Sequence, residues 1–555
     1  MKAAFGFRPK LLDTLKHYTW ADFHADLVAG VTVGIVALPL AMAFAIASGV
    51  PPQAGIFTAV IAGMLISGLG GTKVSIGGPT GAFIVILYGI HARYGPEKLA
   101  ICTLIAGGLL LVMGLARLGT MIKYIPYPVT AGFTSGIAVL IFTTQIKDFC
   151  GLSMDRVPSD FIEKMKSLFE HAGTFQWPTL LLAAVSLGVI KLWPARWHRR
   201  VPGSVIALVG ATAAVAVFHL PLETIGSKFG GIPQGLPMPH LPAISWDSLH
   251  ELFAPALTIA LLAAIESLLC AVVADGMIDD QHDSNQELIA QGIANLVCPI
   301  FGGIAATGAI ARTATNIKCG GRTPIAGITH SVTLLIIVLV AAPLAKFIPL
   351  ATLSAVLINV ALNMGEWHNF RRLPKWPRGD SAVFLATFGL TVIIDLTVAV
   401  ETGMVLAAVL FIKRVSETTQ ITAVDESTET EGPHHSILGK EIPEGVMIYR
   451  IFGSFFFGAA DKLEGALKGL KQEPAVLILR MRKVLAMDAT GLNALEDLYE
   501  RLRRHNKSLV LSGPHTQPFF MMEKAGFLDR LGRQNVCADL DLALSRAREI
   551  LDRGD

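Results

Sequence analysis

Two segments between residues 257 and 322 decide the fold: Ala264-Ile-Glu266-Ser-Leu-Leu-Cys270, and Gly302-Gly-Ile-Ala-Ala-Thr-Gly308-Ala-Ile-Ala-Arg312. The first places one acid inside an apolar run, and an ionisable residue in a membrane span is costly and typically functional. The second interrupts hydrophobic sequence with small residues, as in discontinuous transporter helices whose N-termini bind anions. The alternatives are a structural acid bonded to a neighbouring span, and glycines that only permit close helix packing.

The composition is that of a polytopic membrane protein with a soluble part. Of 555 residues, 52% are hydrophobic and 16% are charged, whereas soluble domains carry about 25% charged residues. Apolar segments from Leu27 to Ile412 predict about fourteen spans, several shorter than the ~20 residues of a straight span. The net charge of +3 without basic runs gives no indication of nucleic acid binding. Six scattered cysteines without a CxxC pair argue against a zinc site or a disulfide framework.

Basic residues and composition predict the orientation and the domain boundaries. Basic loops follow even-numbered predicted spans, and the loop after the twelfth contains Arg371, Arg372, Lys375 and Arg378. Because cytoplasmic loops are enriched in Lys and Arg, both termini are predicted to be cytoplasmic. The predicted parts are a cytoplasmic N-terminal segment (1–26), a transmembrane domain (27–415), a polar linker (416–440) and a small α/β domain (441–555).

The transmembrane domain contains a weak internal repeat. Val74-Ser-Ile-Gly-Gly-Pro-Thr80-Gly-Ala-Phe83 leads into an apolar half-span, and residues 303–312 do the same about 230 positions later. Seven spans per repeat put the copies in opposite orientations, as in secondary transporters. We expect both stretches to be extended and two half-helix N-termini to face each other across an anion site. Arg312 would strengthen the preference for an anion; alternatively it pairs with Glu266 or a carbonyl.

Other polar residues have simpler interpretations. Acids that follow the eighth span are interpreted as a solvated loop in which Glu287 caps the next helix. In Met487-Asp488-Ala-Thr490-Gly491, Asp488 or Thr490 is expected to cap a helix, and Thr490 is also a candidate phospho-acceptor. The sequence has no Walker A, GxSxG or HExxH motif, so nothing in it supports an enzyme, a cofactor site or ATP-driven transport.

Several longer motifs occur in one order along the chain: Asp26-Leu-Val-Ala-Gly-Val-Thr-Val-Gly34, Ser48-Gly-Val-Pro-Pro-Gln-Ala-Gly55, Gly78-Pro-Thr-Gly81 and Asn285-Gln-Glu-Leu-Ile-Ala-Gln-Gly292. With them the chain resembles the sulfate permease (SulP) family of anion transporters from Asp22 to Leu551. The tail resembles a STAS domain, named for sulfate transporters and anti-sigma-factor antagonists, and Thr490 matches its phospho-acceptor position.

The resemblance implies a polytopic α-helical 7+7 inverted-repeat transporter with core and gate domains, followed by a small cytoplasmic α/β STAS domain. It implies elevator-type alternating access, a homodimer in the bacterial inner membrane, and a cytoplasmic protein partner of the STAS domain. It places Thr80, Gly308, Ala309 and Ile310 at the anion site, with Glu266 facing them.

Departures from the family pattern bear on coupling and substrate. Many relatives have Leu-Pro-Gln-Gly where this chain has Leu38-Pro-Leu-Ala41, so one polar contact to the anion is missing. Sodium-coupled bicarbonate members have Asp at the Glu266 position and hydroxyl residues at those of Cys270 and Ile310. Because neither Cys270 nor Ile310 offers an oxygen ligand, proton coupling through Glu266 is expected instead.

The substrate expected from the resemblance is a four-carbon dicarboxylate. The residues around Glu266 are most similar to those of family members that take up succinate, fumarate or aspartate. Sulfate, bicarbonate and chloride remain alternatives, as do an uncoupled anion channel and a transporter-derived sensor.

Overall fold

Two units follow one another in the computed structural model, a helical unit up to Val405 and a sheet-containing unit from Leu406. The structure describes residues 7–122, 126–154, 157–158, 160–194, 202–235, 238–243, 245–394, 396–423, 437, 440–456, 462–463 and 474–553. The main helices up to the second unit are α1 (Trp20–Ala47), α2 (Pro52–Leu69), α3 (Ile84–Leu115), α4 (Tyr127–Cys150), α5 (Phe161–Glu170), α6 (Trp177–Leu192), α7 (Gly203–Phe218), α8 (Trp246–Ile278), α9 (Ser284–Val297), α10 (Ile310–Lys318), α11 (Pro324–Ala345), α12 (Leu350–Met364), α13 (Arg378–Ile393) and α14 (Leu396–Thr418). Shorter helices span Lys10–Thr14, Gly119–Ile122, Ile225–Phe229 and Trp367–Arg372.

These helices match the predicted spans. The helix α3 bends at Gly95, whose φ is +84°, and Pro96 follows, so this helix supplies two predicted spans. The ten-residue helix α5 lies in a predicted loop and is an addition to the prediction. In the described part of the chain, seven helical stretches are long and apolar enough to cross a membrane by length and composition alone. The predicted polytopic helical fold is confirmed.

The helix α1 starts earlier than the hydrophobic run that predicts it. Thr19 Oγ1 accepts a hydrogen bond from the Asp22 N–H at 3.2 Å, and the Asp22 carboxylate accepts one from the Thr19 N–H at 3.2 Å. This capping box satisfies backbone donors at the helix start. The first turns of α1 therefore lie within the segment 1–26, which the sequence assigned to a lead-in.

The two copies of the inverted repeat contact each other through two very short strands. β1 (Gly77–Gly78) pairs antiparallel with β2 (Thr307–Gly308), in a register that places Gly77 opposite Gly308. These two glycines are 231 positions apart, and the last residues of α1 and α8, Ala47 and Ile278, are also 231 apart. Equivalent positions of the two repeats are therefore paired at Gly77 and Gly308. The prediction of two facing extended stretches is confirmed.

Helices of the two repeats interdigitate through close glycine contacts. A Cβ atom on Gly30 of α1 would lie 2.6 Å from Thr329 Cβ of α11, and one on Gly107 of α3 would lie 2.7 Å from the Leu296 nitrogen of α9. Such distances leave no room for a side chain, so these helices touch backbone to backbone. Close packing is thus one role of the glycines, beside their role in the extended stretches.

One buried carboxylate ties the start of α1 to the start of α11. Asp26 Oδ1 accepts hydrogen bonds from the backbone N–H groups of Arg322 at 2.7 Å and Thr323 at 3.1 Å. Asp26 Oδ2 accepts from the Tyr18 hydroxyl at 3.1 Å and from the Thr323 hydroxyl. Because Asp26 is fully buried, four donors share one carboxylate that water does not reach.

The second unit is a five-stranded sheet with helices on both faces. Its strand order is β3-β4-β5-β6-β7; only the β3–β4 pair is antiparallel, and the others are parallel. Its elements are β3 (Gln420–Ala423), β4 (Val446–Phe452), β5 (Val476–Lys483), α15 (Ala489–Arg504), β6 (Ser508–Ser512), α16 (Thr516–Lys524), α17 (Phe527–Leu531), β7 (Val536–Cys537) and α18 (Leu540–Arg553). The predicted small α/β domain is confirmed.

Successive side chains along the central strands point to opposite faces of the sheet, and this alternation produces two hydrophobic cores. Leu479 and Leu511 pack with Leu495 of α15 and Phe527 of α17 on one face of the sheet. Their neighbours Ile478 and Val510 lie on the opposite face with residues of α18. β3 belongs to this sheet although its residues fall inside the predicted linker 416–440, whose middle part lies outside the described residues.

The position of β3 determines where a chain that lacks the second unit should end. We expect a chain that ends after Thr418 to insert into the membrane and remain monodisperse, because the helical unit is then complete. A chain that ends after Lys440 keeps β3 but loses β4, and an unpaired strand edge favours aggregation. Fluorescence-detected size exclusion of both truncations measures this. Failure of both to insert, or equal monodispersity of the two, would contradict the boundary.

The carboxylate of Asp26 should dominate the stability of the α1–α11 junction. Asp26→Ala leaves buried donors without an acceptor and should lower the free energy of unfolding by about 2–5 kcal/mol. Asp22→Ala is the matched control, because Asp22 is only partly buried and should cost about 1 kcal/mol. Denaturation of both purified variants provides the comparison. Equal losses would show that burial of Asp26 is not what matters.

Candidate functional site

The β1–β2 crossing sets the positions of two helix N-termini. Besides the strand pairing, the Ala309 N–H donates to the Ile76 carbonyl at 2.8 Å, so the extended backbone is bonded to itself. A 3₁₀ turn at Gly81–Phe83 then leads into α3, and α10 begins at Ile310. Neither start has a side-chain cap. The first-turn N–H groups of both helices therefore remain available as hydrogen-bond donors.

The guanidinium of Arg312 is buried beside this crossing. Its side chain belongs to the first turn of α10, and the residue is 3% exposed. Nη2 donates to the Pro79 carbonyl at 3.0 Å, whereas Nη1 is buried and has no hydrogen-bond partner among the described residues. A Cβ atom on Gly78, whose φ is +149°, would lie 2.3 Å from Nη1. Only glycine at position 78 leaves space for the guanidinium.

Thr80 contributes a second orphaned polar atom. Its Oγ1 is buried and has no hydrogen-bond partner in the described part of the chain, and it does not cap the turn that follows. Thr80 comes directly after Pro79, whose carbonyl Arg312 contacts. A hydroxyl and a guanidinium nitrogen without partners thus flank the same short segment of backbone.

Helix α8 supports the crossing through hydroxyl groups. The Ser267 hydroxyl accepts from the Gly308 N–H at 3.2 Å and lies 2.6 Å from the Thr307 hydroxyl, which donates to the Ala263 carbonyl at 3.1 Å. A Cβ atom on Gly308 would lie 3.2 Å from Cys270 Cβ, so the strand lies directly on the helix. Glu266 therefore directly precedes Ser267, whose hydroxyl bonds to Gly308 of β2.

A second hydroxyl joins α10, α8 and the first repeat. Thr313 Oγ1 accepts from the Ile76 N–H at 2.9 Å and from the Cys270 thiol at 3.2 Å. Cys270 thus serves as a donor inside the support of the site. This contact agrees with the view that Cys270 is not a cation ligand.

Glu266 is buried at 7% exposure, and its carboxyl group makes no hydrogen bond or ion pair with the residues that the structure describes. The alternative in which Arg312 is neutralised by Glu266 is therefore not realised; Arg312 meets a carbonyl instead. Of the other predicted site residues, Gly308 and Ala309 are buried, whereas Ile310 is 37% exposed. The crossing thus gathers the predicted anion-site residues around one segment, with Ile310 at its open side.

His330 is a residue of this region that the sequence did not indicate. It lies in α11, is fully buried, and neither ring nitrogen has a partner among the described residues. A Cβ atom on Gly63 would lie 3.6 Å from His330 Cε1 and 3.2 Å from the Gly77 carbonyl oxygen, which puts the imidazole behind β1. A single histidine in an apolar span was the available signal.

The interpretation of Glu287 as a helix cap in a solvated loop is wrong. Asp283 caps α9, and its Oδ1 accepts from the N–H groups of Asn285 and Gln286 at 3.0 Å each. Glu287 is fully buried and accepts from the Gly71 N–H and the Thr72 hydroxyl at 3.0 Å each. Through these two bonds, Glu287 ties α9 to the chain between α2 and β1 and satisfies two buried donors.

The remaining candidates lie outside this site. Asp488 caps α15, with the Gly491 N–H donating to Oδ1 at 2.7 Å, as expected. Thr490 is exposed in the first turn of the same helix. In the described residues, no group of three or more His, Cys, Asp or Glu side chains is arranged to hold a metal ion.

Comparisons with known proteins agree with this architecture. The model of the sulfate permease family matches residues 23–387, and that of the STAS domain matches residues 439–543. The chain is 45% identical over 522 residues to YvdB of Bacillus subtilis, whose name describes it provisionally as a sulfate transporter; the match covers 94% of this chain and 97% of YvdB. It is 30% identical over 540 residues to the bicarbonate transporter BicA of Synechocystis, covering 95% and 94%.

Solved structures share the fold. The transmembrane domain of a cyanobacterial BicA matches with a TM-score of 0.64 at 32% identity, covering 69% of this chain and 98% of that one. The murine anion transporter Slc26a9 in its inward-facing state matches with a TM-score of 0.87 at 19% identity, covering 99% and 96%. The chain therefore belongs to the sulfate permease family of multi-pass membrane anion transporters and carries a C-terminal STAS domain.

Proposed function

We propose that this protein takes up a small oxyanion together with a proton, and that the anion binds at the β1–β2 crossing. The observation that carries the proposal is the buried guanidinium of Arg312, whose Nη1 has no partner among the described residues. An unpaired buried charge is expensive, so a site of this kind favours a ligand of opposite sign.

The surroundings of Arg312 suit an oxyanion. Two uncapped helix starts present backbone donors, and each helix adds about half a positive charge at its N-terminus. The Thr80 hydroxyl adds a donor without a partner. Charge-assisted hydrogen bonds from a guanidinium, a hydroxyl and backbone N–H groups would bind a sulfate or carboxylate without a cluster of lysines.

Glu266 is the proposed proton carrier. Its carboxyl group is buried and makes no hydrogen bond or ion pair with a described residue, which favours the protonated form. A sodium ion would instead need several oxygen ligands. The nearby Ser267 and Thr307 hydroxyls bond to each other and to backbone groups, and Cys270 and Ile310 supply no oxygen.

The named relatives favour sulfate or bicarbonate as the substrate, and the sequence pattern around Glu266 favours four-carbon dicarboxylates. All three classes present oxyanions to the same donors. The proposed ligand is therefore an oxyanion, and an uptake assay identifies which one is the substrate. Uptake of labelled sulfate, bicarbonate and succinate into proteoliposomes, with and without sodium and with and without a pH gradient, separates them. Absence of uptake of all three would contradict the proposed function.

The transport cycle that we propose follows from the two repeats. The core would comprise α1–α3 and α8–α11, which include the crossing, Arg312 and Glu266, and it would move as one body because hydroxyl groups and glycine contacts join these helices. The gate would comprise α4, α6, α7 and α12–α14, and two copies would assemble as a homodimer in a membrane with both termini cytoplasmic. The STAS unit, with Thr490 exposed, would adjust rather than perform transport.

Replacing Glu266 tests proton coupling. We expect Glu266→Gln to abolish uptake driven by a pH gradient while substrate exchange persists, since the amide keeps the shape but cannot carry a proton. Labelled uptake and counterflow in proteoliposomes measure the two activities. Glu266→Asp, which keeps the carboxyl, is the control and should retain coupled uptake. Concentrative uptake by Glu266→Gln at the wild-type level, or sodium dependence of the wild type, would contradict proton coupling.

Replacing Arg312 and Thr80 tests the anion site. Arg312→Ala should weaken substrate binding by about 1–3 kcal/mol, and Thr80→Val by about 1 kcal/mol, as expected for lost charged and neutral hydrogen bonds. Calorimetry or ligand competition on purified protein measures both. Thr80→Ser keeps the hydroxyl and should bind as the wild type does. If Arg312→Ala and Thr80→Val both bind the transported anion normally, the anion binds elsewhere.

A further inference from the structure

A cavity lies at one end of the helical bundle, lined by residues other than those of the crossing. Its volume is about 410 Å³, and it opens between the start of α4, the start of α13 and the short helix Trp367–Arg372. The lining residues that matter here are Tyr127, Asn369, Arg372, Trp376 and Asp380. No part of the proposed transport mechanism uses them.

The walls of this cavity are fixed by their own contacts. The Tyr127 hydroxyl donates to Glu366 Oε2 at 3.1 Å and accepts from Asn369 Nδ2 at 2.8 Å. The Trp376 ring lies edge-on to the rings of Tyr127 and Phe384, with centroids 6.1 and 5.8 Å apart. The aromatic surface is therefore in place before any ligand binds, as in most small-molecule sites.

The chain segment that forms one wall of this cavity is basic, although the lining itself has one cation, Arg372, and one acid, Asp380. Arg372 is exposed, and its guanidinium makes no hydrogen bond or ion pair with any residue that the structure describes. Three more basic residues lie within the same short segment of chain: Arg371, Lys375 and Arg378. The acids present are Asp380 and Glu366, and the latter already accepts the Tyr127 hydroxyl and lies 3.6 Å from His368 Nε2. The four cations of this segment outnumber the two acids, and a basic segment of this kind favours an anionic ligand.

The position at the ends of spanning helices identifies the kind of anion. Tyr127, Trp376 and Trp367 are aromatic residues of the type that lies at the headgroup level of a bilayer. Beyond the cavity, α13 exposes Leu385 at 48%, so an acyl chain could lie along this helix. Basic pockets between spans bind anionic lipid headgroups in this way.

We propose that this cavity binds the headgroup of an anionic phospholipid, with the phosphodiester on Arg372 and the glycerol against Tyr127 and Trp376. Free phosphate shares the chemistry of the headgroup but lacks the acyl chains that would contact α13. The lipid would contact α4 and α13 at once and so hold the ends of these two helices at the membrane surface.

Lipid titration of the full-length protein tests the proposal. Native mass spectrometry of purified protein with added phosphatidylglycerol should show a bound lipid that Arg372→Gln and Trp376→Leu each reduce about five-fold in occupancy. Lys413→Gln is the matched control, because it removes the same charge from the exposed end of α14. Its occupancy should equal that of the wild type.

Two further arms identify the ligand. Phosphatidylcholine at the same concentration should bind at the background level, and millimolar inorganic phosphate should not displace phosphatidylglycerol. Unchanged binding in both cavity variants, equal binding of the two lipids, or displacement by inorganic phosphate would overturn the proposal. Because the readout is lipid occupancy rather than transport, the result is independent of the proposed anion site.

Discussion

The structure depends on one constraint, that extended backbone at membrane depth must have its polar groups satisfied inside the protein. The chain departs from helical structure around β1 and β2, and only four residues of these segments pair as strands. Their pairing is possible because Gly77 and Gly308 allow two backbones to meet where side chains would collide with Ile66 and Cys270. The positions of the two helix N-termini and of Arg312 follow from this contact.

The rest of the extended backbone is satisfied by amide and hydroxyl side chains. The side chain of Asn295 bonds to both backbone groups of Ala306: it accepts from the N–H at 2.8 Å and donates to the carbonyl at 2.9 Å. Thr58 accepts from the Ile304 N–H at 2.8 Å, and Asn316 donates to the Val74 carbonyl at 2.9 Å. These contacts reach across both repeats. The polar interior of the bundle thus mainly holds two helix N-termini in place, and Arg312 and Thr80, like His330 behind β1, keep polar atoms without a partner among the described residues.

Periodicity and composition were enough to predict the helices of the transmembrane domain, the discontinuous segments and the α/β tail, because each depends on hydrophobicity or on glycine. What they could not predict were contacts between segments far apart in sequence. The sequence places Glu287 in a loop, whereas the fold brings Gly71 and Thr72 to its carboxylate, and a single histidine in an apolar span does not reveal that His330 lies behind β1. β3 was missed because a four-residue edge strand next to a polar linker has too little periodicity to be recognised. The site was predicted as far as it rests on helix starts, whereas its supporting hydroxyls required the structure.

The two repeats are similar in backbone and different in chemistry, and the difference bears on coupling. With the offset of 231 positions, Glu266 corresponds to Ile35 and Arg312 to Gly81. The first repeat therefore contributes a helix start, the Thr80 hydroxyl and the Pro79 carbonyl, whereas both ionisable groups come from the second. A symmetric site with two arginines would hold an oxyanion too tightly to release it, since each buried charge left behind would need a new partner. With one cation and one acid on α10 and α8, the net charge of the region changes by one when Glu266 gains a proton. In the proposed cycle, duplication would supply the geometry of alternating access, and divergence of a few side chains would supply the charge that ties it to a proton.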